Sequence, residues 1–366
     1  MTRTFALTLI GLFSAVAICN AQAPTLEKVK ALPLAAGVRG LVTRTPGKII
    51  IDGKLREWSE AFCTPVHYAH GRINDRAAQF FTMWDDDAFY IGLRALDTKQ
   101  ANPGQPASLW NGDSVEFYLD TRLGAGLRGK DWTDGAIHFY FTPFDGNLVR
   151  PRWVMRRGIA TSQVVLKGTE IAATATKEGY EVEFKIPWSN FPGFTPKLGA
   201  LIAADAELCS GDGGGRTDRT FAYGSPLSVQ QPASQAALQL VKSFDPDYLS
   251  AVGPATFPMW VDTPWVQPAR AQALAVVAIP PAFVEIVGMV EVRLHDADGK
   301  VLKTLQARLE PFGPKDWGFL RAVAQWSIDD FAPGAYFASA KVSTRTGKTL
   351  TTVTPRMVSE ANISGR

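Results

Sequence analysis

The segment "LWNGDSVEFYLDTR", residues 109–122, places one tryptophan ahead of three carboxylates, Asp113, Glu116 and Asp120, on a stretch that otherwise alternates apolar and polar residues. Carboxylates this close could work as an acid–base pair, as hard metal ligands, or as acceptors for the hydroxyls of a neutral polyol. Successive side chains on an extended strand point to opposite faces, so Asp113 and Glu116, three apart, diverge. Glycoside hydrolysis needs two carboxyl groups flanking one bond, which makes this a poor catalytic pair. What remains is a surface on which Trp110 and Glu116 grip a neutral ligand. The plain alternative is a tryptophan that covers a loop and a solvated glutamate.

Other chemistry-bearing residues are read the same way. Asp205 and Glu207, two apart in "IAADAELC", share a face and could frame a binding surface or hold Ca2+. No cofactor is expected to be required, and a structural Ca2+ could be held. Asp85, Asp86 and Asp87 read as a solvated turn rather than a calcium loop. His67 and His70 fall on opposite sides of an ideal strand, against a metal role. "CSGDGGGRTDR" is glycine-rich but lacks the Lys-Ser/Thr ending of a phosphate loop, and reads as a surface loop. Neither "GxSxG" nor "HExxH" occurs, so a stand-alone glycoside hydrolase has little support. Met83 with His138 could be proposed as axial haem ligands, although core packing explains Met83 better.

The elements that must position these residues are strands. "AQFFTMW" and "AFYIGLRAL" form a hairpin around the three aspartates; in "SVEFYL", Val115, Phe117 and Leu119 point inward, with Glu116 and Tyr118 outward. In "GYEVEFKIPW", Tyr180, Val182, Phe184 and Ile186 share a dry face while Glu181, Glu183 and Lys185 share a wet one. The alternation stops between residues 243 and 270, a Pro-rich stretch read as a linker, and resumes as two hairpins over 271–358, which fit a small immunoglobulin-like sandwich. The fold class is therefore all-β: an N-terminal jelly-roll-like antiparallel β-sandwich over 46–242, then the smaller sandwich, with a tail at 359–366.

The first residues carry one arginine, an apolar run from Phe5 to Ile18 and then small residues, the layout of a secretory signal peptide cleaved after Ala21, which leaves 22–45 as an N-terminal extension. The protein is expected to be secreted or periplasmic, with no membrane span in the mature chain. The net charge is +3 over 366 residues, with basic residues interleaved among acids, so no nucleic-acid partner is expected. In an oxidising compartment Cys63 and Cys209 could form one disulfide, two free thiols being the alternative.

"KIIIDGKLREWSEA", "FTMWDDDAFYIGLRALD", "LWNGDSVEFYLDTR", "EGYEVEFKIPWSNF" and "LGALIAADAEL" stand in an order that resembles family 9 carbohydrate-binding modules and their DOMON-like relatives, over about residues 46–242. The resemblance implies a β-sandwich that holds sugars without cleaving them, with Trp110 as stacking platform and Glu116 as hydroxyl acceptor. It also marks two departures. The second platform tryptophan is missing from "SPLSVQQPASQAALQL", where Val229 or Gln230 stands, and the strand that carries polar clamps offers His138, Tyr140 and Thr142 instead. Tyr223 is a candidate replacement ring. The expected function is that of a non-catalytic carbohydrate-binding protein that supports glycan degradation, with glycan-degrading enzymes on other chains as partners. The alternative is a cell-envelope structural or interaction module that has lost its sugar.

Overall fold

The computed structural model describes residues 38–69, 72–125, 132–145, 148–156, 163–211, 213, 215–223, 229, 232, 235–243, 259–262, 272–279, 283–296, 298–312, 317–327, 336–347 and 349–353. The signal-peptide segment, His70, Gln230, the C-terminal tail and most of the Pro-rich stretch lie outside the described residues, as does the side chain of His67.

The first domain is built from β1 (Val38–Arg44), β2 (Phe62–Ala69), β3 (Arg72–Trp84), β4 (Ala88–Leu96), β5 (Ser114–Asp120), β6 (Ala136–Asp145), β7 (Leu148–Arg156), β8 (Glu170–Ala175), β9 (Gly179–Pro187), β10 (Leu201–Ser210), β11 (Asp218–Phe221) and β12 (Ala236–Val241). The order is β7-β6-β5-β10-β11-β2-β3-β4-β9-β8, folded over so that one half packs on the other. The two halves meet through aromatic rings: Phe184 of β9 lies edge-on to Phe117 of β5 and to Phe139 and Phe141 of β6, with centroids 4.8, 4.9 and 5.0 Å away. Tyr180, Val182, Phe184 and Ile186 are all buried in this core, and Val115, Phe117 and Leu119 join them from the opposite layer, as the alternation predicts. The pairs within the domain are antiparallel except those of β1, which runs parallel to β12 and, at its end, to β3. The sequence pattern places 38–44 in an extension; β1 instead fastens two strands of the sandwich.

Alternation misjudges the opposite face of β9. Glu183, expected on the wet side, is fully buried beneath the loop "IDGKLREW". Its carboxylate accepts from the backbone amides of Asp52, Gly53 and Lys54 and from Trp58 Nε1, at 2.8, 2.6, 3.2 and 2.7 Å. Gly53 makes the approach feasible: its φ is +83°, and a Cβ there would lie 2.7 Å from the carbonyl carbon of Ala173.

The second domain carries β13 (Met259–Asp262), β14 (Gln272–Ile279), β15 (Val287–Asp296), β16 (Val301–Gln306), β17 (Arg308–Phe312), β18 (Phe319–Ser327), β19 (Tyr336–Thr344) and β20 (Thr349–Val353). They form two four-stranded sheets, β13-β14-β18-β17 and β16-β15-β19-β20, completing the all-β architecture. Met259–Asp262 falls in the stretch read as linker, yet it pairs antiparallel with β14. The second core is continuous with Leu41, Phe62 and Val241 of the first domain. Cys63 meets Trp317 and Phe319 in a smaller apolar cluster, and Gln79 donates to the Trp317 carbonyl at 3.1 Å. The second domain thus packs along β1, β2, β3 and β12, which leaves the outer face of β5, β6, β7, β10 and β11 to be built into something else.

Candidate functional site

On that outer face, cross-strand register does the assembling. Glu116 lies opposite Tyr140 on one side and Glu207 on the other; Tyr118 lies opposite His138 and Asp205; His138 lies opposite Arg156; Cys209 lies opposite Arg219. Each belongs to the polar half of a strand whose apolar half enters the core, so the alternation that forms the sandwich also collects these groups on one surface.

The cluster is buried and tightly bonded. Glu116 Oε2 is 2.7 Å from His138 Nε2 and accepts from the Tyr118 hydroxyl at 2.9 Å. The same hydroxyl lies 2.8 Å from Glu207 Oε2. Arg219 binds Glu207 through Nε and, at 2.8 Å, through Nη2, a two-pronged ion pair. His138 is stacked on Tyr118, with centroids 4.5 Å apart, and contacts Tyr140 at 4.1 Å.

Among the described residues, Glu116, Glu207 and Cys209 offer ligand atoms within 4.8 Å of one another. The position a metal would take is already filled by a cation: Arg216 Nη1 is 3.7 Å from Glu116 Oε1, 3.6 Å from Glu207 Oε1 and 3.5 Å from Cys209 Sγ. Arg216 and Arg219 together neutralise the two glutamates, so the charge balance does not call for an ion. Nor is the glutamate pair arranged to flank a glycosidic bond, because the Tyr118 hydroxyl and Arg216 stand between the carboxylates.

The electrostatics follow from this packing. Burial would raise the Glu116 carboxyl, but the hydrogen bond and charge of His138, with help from Tyr118 and Arg219, outweigh it and hold the group below its ordinary value. Burial, then the charges of Glu207 and Glu116, push the Cys209 thiol well up, and the Tyr118 phenol is raised by the same three influences. At neutral pH these shifts favour an ionised Glu116 beside a neutral Cys209 and a neutral Tyr118.

Trp110 lies at the edge of the cluster, 36 % exposed, and the Arg216 guanidinium sits 4.8 Å from the centre of its ring. The loop is pinned from below. Asp113 accepts from the amides of Ala101 and Gly211, both at 2.7 Å, and the Asn111 side chain accepts from the Arg216 amide at 3.0 Å. Burial pushes Asp113 up to about 7, with the two amides opposing the shift and the Asp97 carboxylate adding to it.

The structure therefore brings Trp110, Glu116, His138, Tyr140 and Glu207 into one neighbourhood. It does not bring Tyr223 there: that ring packs in the core, its hydroxyl 3.0 Å from Thr64 Oγ1, so it does not replace the missing platform. Asp205 and Glu207 do not converge, since Asp205 accepts from the amides of Ala206 and Tyr223 while Glu207 is held by Arg219. The Cys63–Cys209 bridge is corrected to two buried free thiols: Cys63 faces the second domain and Cys209 the glutamates. Glu116 is not a solvated acceptor but 2 % exposed and fully engaged. Met83 is core, beside Trp58, and Asp85 closes its turn by accepting from Asp87 and Ala88. Sequence reasoning misses Arg216 and Arg219, which follow the glycine run three apart, and Arg156, which shares a strand face with Arg152 and Val154.

Residues 51–227 match the family model described as "Carbohydrate family 9 binding domain-like". That segment is a family 9-like carbohydrate-binding domain within the chain. The match on this family 9 domain ends short of the second sandwich. Among solved structures, a family 9 carbohydrate-binding module from Caldicellulosiruptor kristjanssonii in complex with cellotriose is 18% identical, with a TM-score of 0.45, over 57% of this chain and 95% of that one. A family 9 module from the same organism in complex with glucose gives the same identity and score over 57% of this chain and 97% of that one. A putative carbohydrate-binding protein from Bacteroides uniformis is 14% identical, with a TM-score of 0.37, over 55% of this chain and 99% of that one. No curated protein matches the chain. No helix among the described residues is long and apolar enough to cross a membrane.

Proposed function

We propose that the protein is a secreted or periplasmic, non-catalytic carbohydrate-binding protein that grips a sugar ring on Trp110 and Arg216 and supports glycan degradation by enzymes on other chains. The observation that carries the reading is an exposed indole held at the rim of a polar sheet face in a family 9 domain. Glu116 acts one step removed from the ligand: its carboxylate and that of Glu207 hold Arg216, which presents donors to sugar hydroxyls beside the indole. One platform, covered on one face by a guanidinium, makes a shallow site that buries little ligand. The dissociation constant is expected at roughly 10 µM to 1 mM.

The cover on Trp110 and the missing second platform also favour a second reading, an interaction module of the cell envelope without a sugar. A glycan array followed by calorimetry on the best binder separates the two. Under the first reading Trp110→Ala abolishes measurable binding with little change in melting temperature. Unchanged affinity with a sharply lowered melting temperature would make Trp110 structural and favour the second.

A further inference from the structure

Among the described residues, one arginine on the site face has neither a carboxylate nor a set of backbone carbonyls to hold it. Arg122 pairs with Asp120, Arg216 and Arg219 share Glu207, and Arg152 is spent on the carbonyls of Asn102, Gly104 and Phe144. Arg156, at the end of edge strand β7, is 8 % exposed and sits with its guanidinium 5.3 Å from the centre of the Tyr140 ring. No described carboxylate pairs with it, and its Nε has no hydrogen-bond partner. Glu116, the acid nearest in register, is engaged by His138, Tyr118 and Arg216. A second orphan lies on the same side: the indole of Trp132 is 5.9 Å from His138, and its buried Nε1 is also without a partner among the described residues.

Buried donors are almost always satisfied, and a buried guanidinium without an anion is costly, so two orphaned N–H groups beside one histidine require explanation. A sugar hydroxyl would satisfy hydrogen bonds but leave the charge. A carboxylate or sulfate supplies both, with oxygens spaced for the guanidinium fork and a further lone pair for the indole.

We propose that this corner, formed by Arg156, Trp132 and Tyr140 beside His138, receives the acid group of an anionic carbohydrate, a uronate carboxylate or a sulfate ester. The inference rests on the carbohydrate-binding reading and names its ligand class: Trp110 and Arg216 hold a ring, and Arg156 selects the charge.

The test is a glycan array carrying acidic glycans and their neutral counterparts, probed with the full chain at fixed ionic strength. Binders that are predominantly uronate- or sulfate-bearing are expected. Binders that are all neutral overturn the acid site and leave the carbohydrate reading standing, whereas an array without a binder overturns both. On the best acidic binder, methyl esterification or desulfation, whichever applies, identifies the group and should weaken binding about tenfold or more. Arg156→Gln should remove that preference, and unchanged discrimination would overturn the assignment. Without ligand, Arg156→Met should raise or preserve the melting temperature, because it removes an unpaired buried charge. A clear fall would show that Arg156 serves the fold, and the proposal would fail.

Discussion

Glu116 and Glu183 are both buried glutamates on the outer face of a sandwich strand, yet they are held in opposite ways. Glu183 is satisfied by neutral donors, three of them consecutive backbone amides, and so fastens the loop "IDGKLREW" onto β9. Glu116 is held by side chains, among them a histidine and a guanidinium that also touches an exposed ring. The difference shows in their protonation. Burial raises Glu183 despite its four hydrogen bonds, whereas charged partners overcome burial and lower Glu116. A carboxylate tied to backbone amides organises the chain; one tied to cationic side chains organises a surface.

Replacing each residue should separate these roles. Glu183→Ala leaves the Gly53 amide and the Trp58 indole N–H without their acceptor, while the Asp52 and Lys54 amides keep Ile50 O and Asp52 Oδ1, and is expected to cost about 3–5 kcal/mol in urea unfolding, with glycan affinity of the folded protein unchanged. A loss of binding without loss of stability would invert the comparison. Glu116→Gln retains shape and some hydrogen bonding but removes the charge facing Arg216. A smaller cost, about 1–3 kcal/mol, is expected, together with a change in Trp110 fluorescence as its guanidinium cover shifts.

The pH dependence should have opposite slopes. Glu183 has a folded value above its ordinary 4.5, so its contribution is present in acid and declines as pH rises through the folded value. Glu116 lies below 4.5, so its contribution is present above that value and is lost on acidification. The stability difference between wild type and Glu183→Gln should therefore shrink with rising pH, and that between wild type and Glu116→Gln with falling pH. Parallel curves would erase the distinction. Asp113 sharpens it: with a value of about 7 against an ordinary 3.8, it should cost the protein stability as pH rises from about 4 to 7, and Asp113→Asn should flatten that stretch of the curve. The smallest effect on stability is expected for Trp110→Ala, within about 0.5 kcal/mol by thermal unfolding, because the ring is a rim residue.

Period-two alternation reveals the core because packing between the halves depends only on which side a residue faces. Tyr180 to Ile186 on β9 and Val115 to Leu119 on β5 are legible for that reason. The same rule assigns Glu183, Glu116 and Tyr118 to solvent, since it cannot see that the loops at 51–58 and 109–113, and Arg216, cover the outer face. Tyr223 is a candidate ring only by its distance along the chain; it follows Phe221 past the end of β11 and turns into the core. The buried arginines carry a usable signal: in "RWVMR", Arg152 and Arg156 fall on the face of β7 that adjoins His138 and Thr142. Their charge obscures it, because lone arginines usually remain in water.

The parallel pairing of β1 has a mechanical consequence. Five residues of β1 are registered with β12, and the chain enters β1 at one end of the pair and leaves β12 at the other. Tension applied across these two flanks loads the inter-strand hydrogen bonds sideways and all at once, instead of peeling them one by one. Force spectroscopy with handles before Val38 and after Val241 should record a higher rupture force than handles that pull the β3–β4 hairpin apart from its open end, and Val42→Pro, which removes a buried donor from the middle of β1, should lower it.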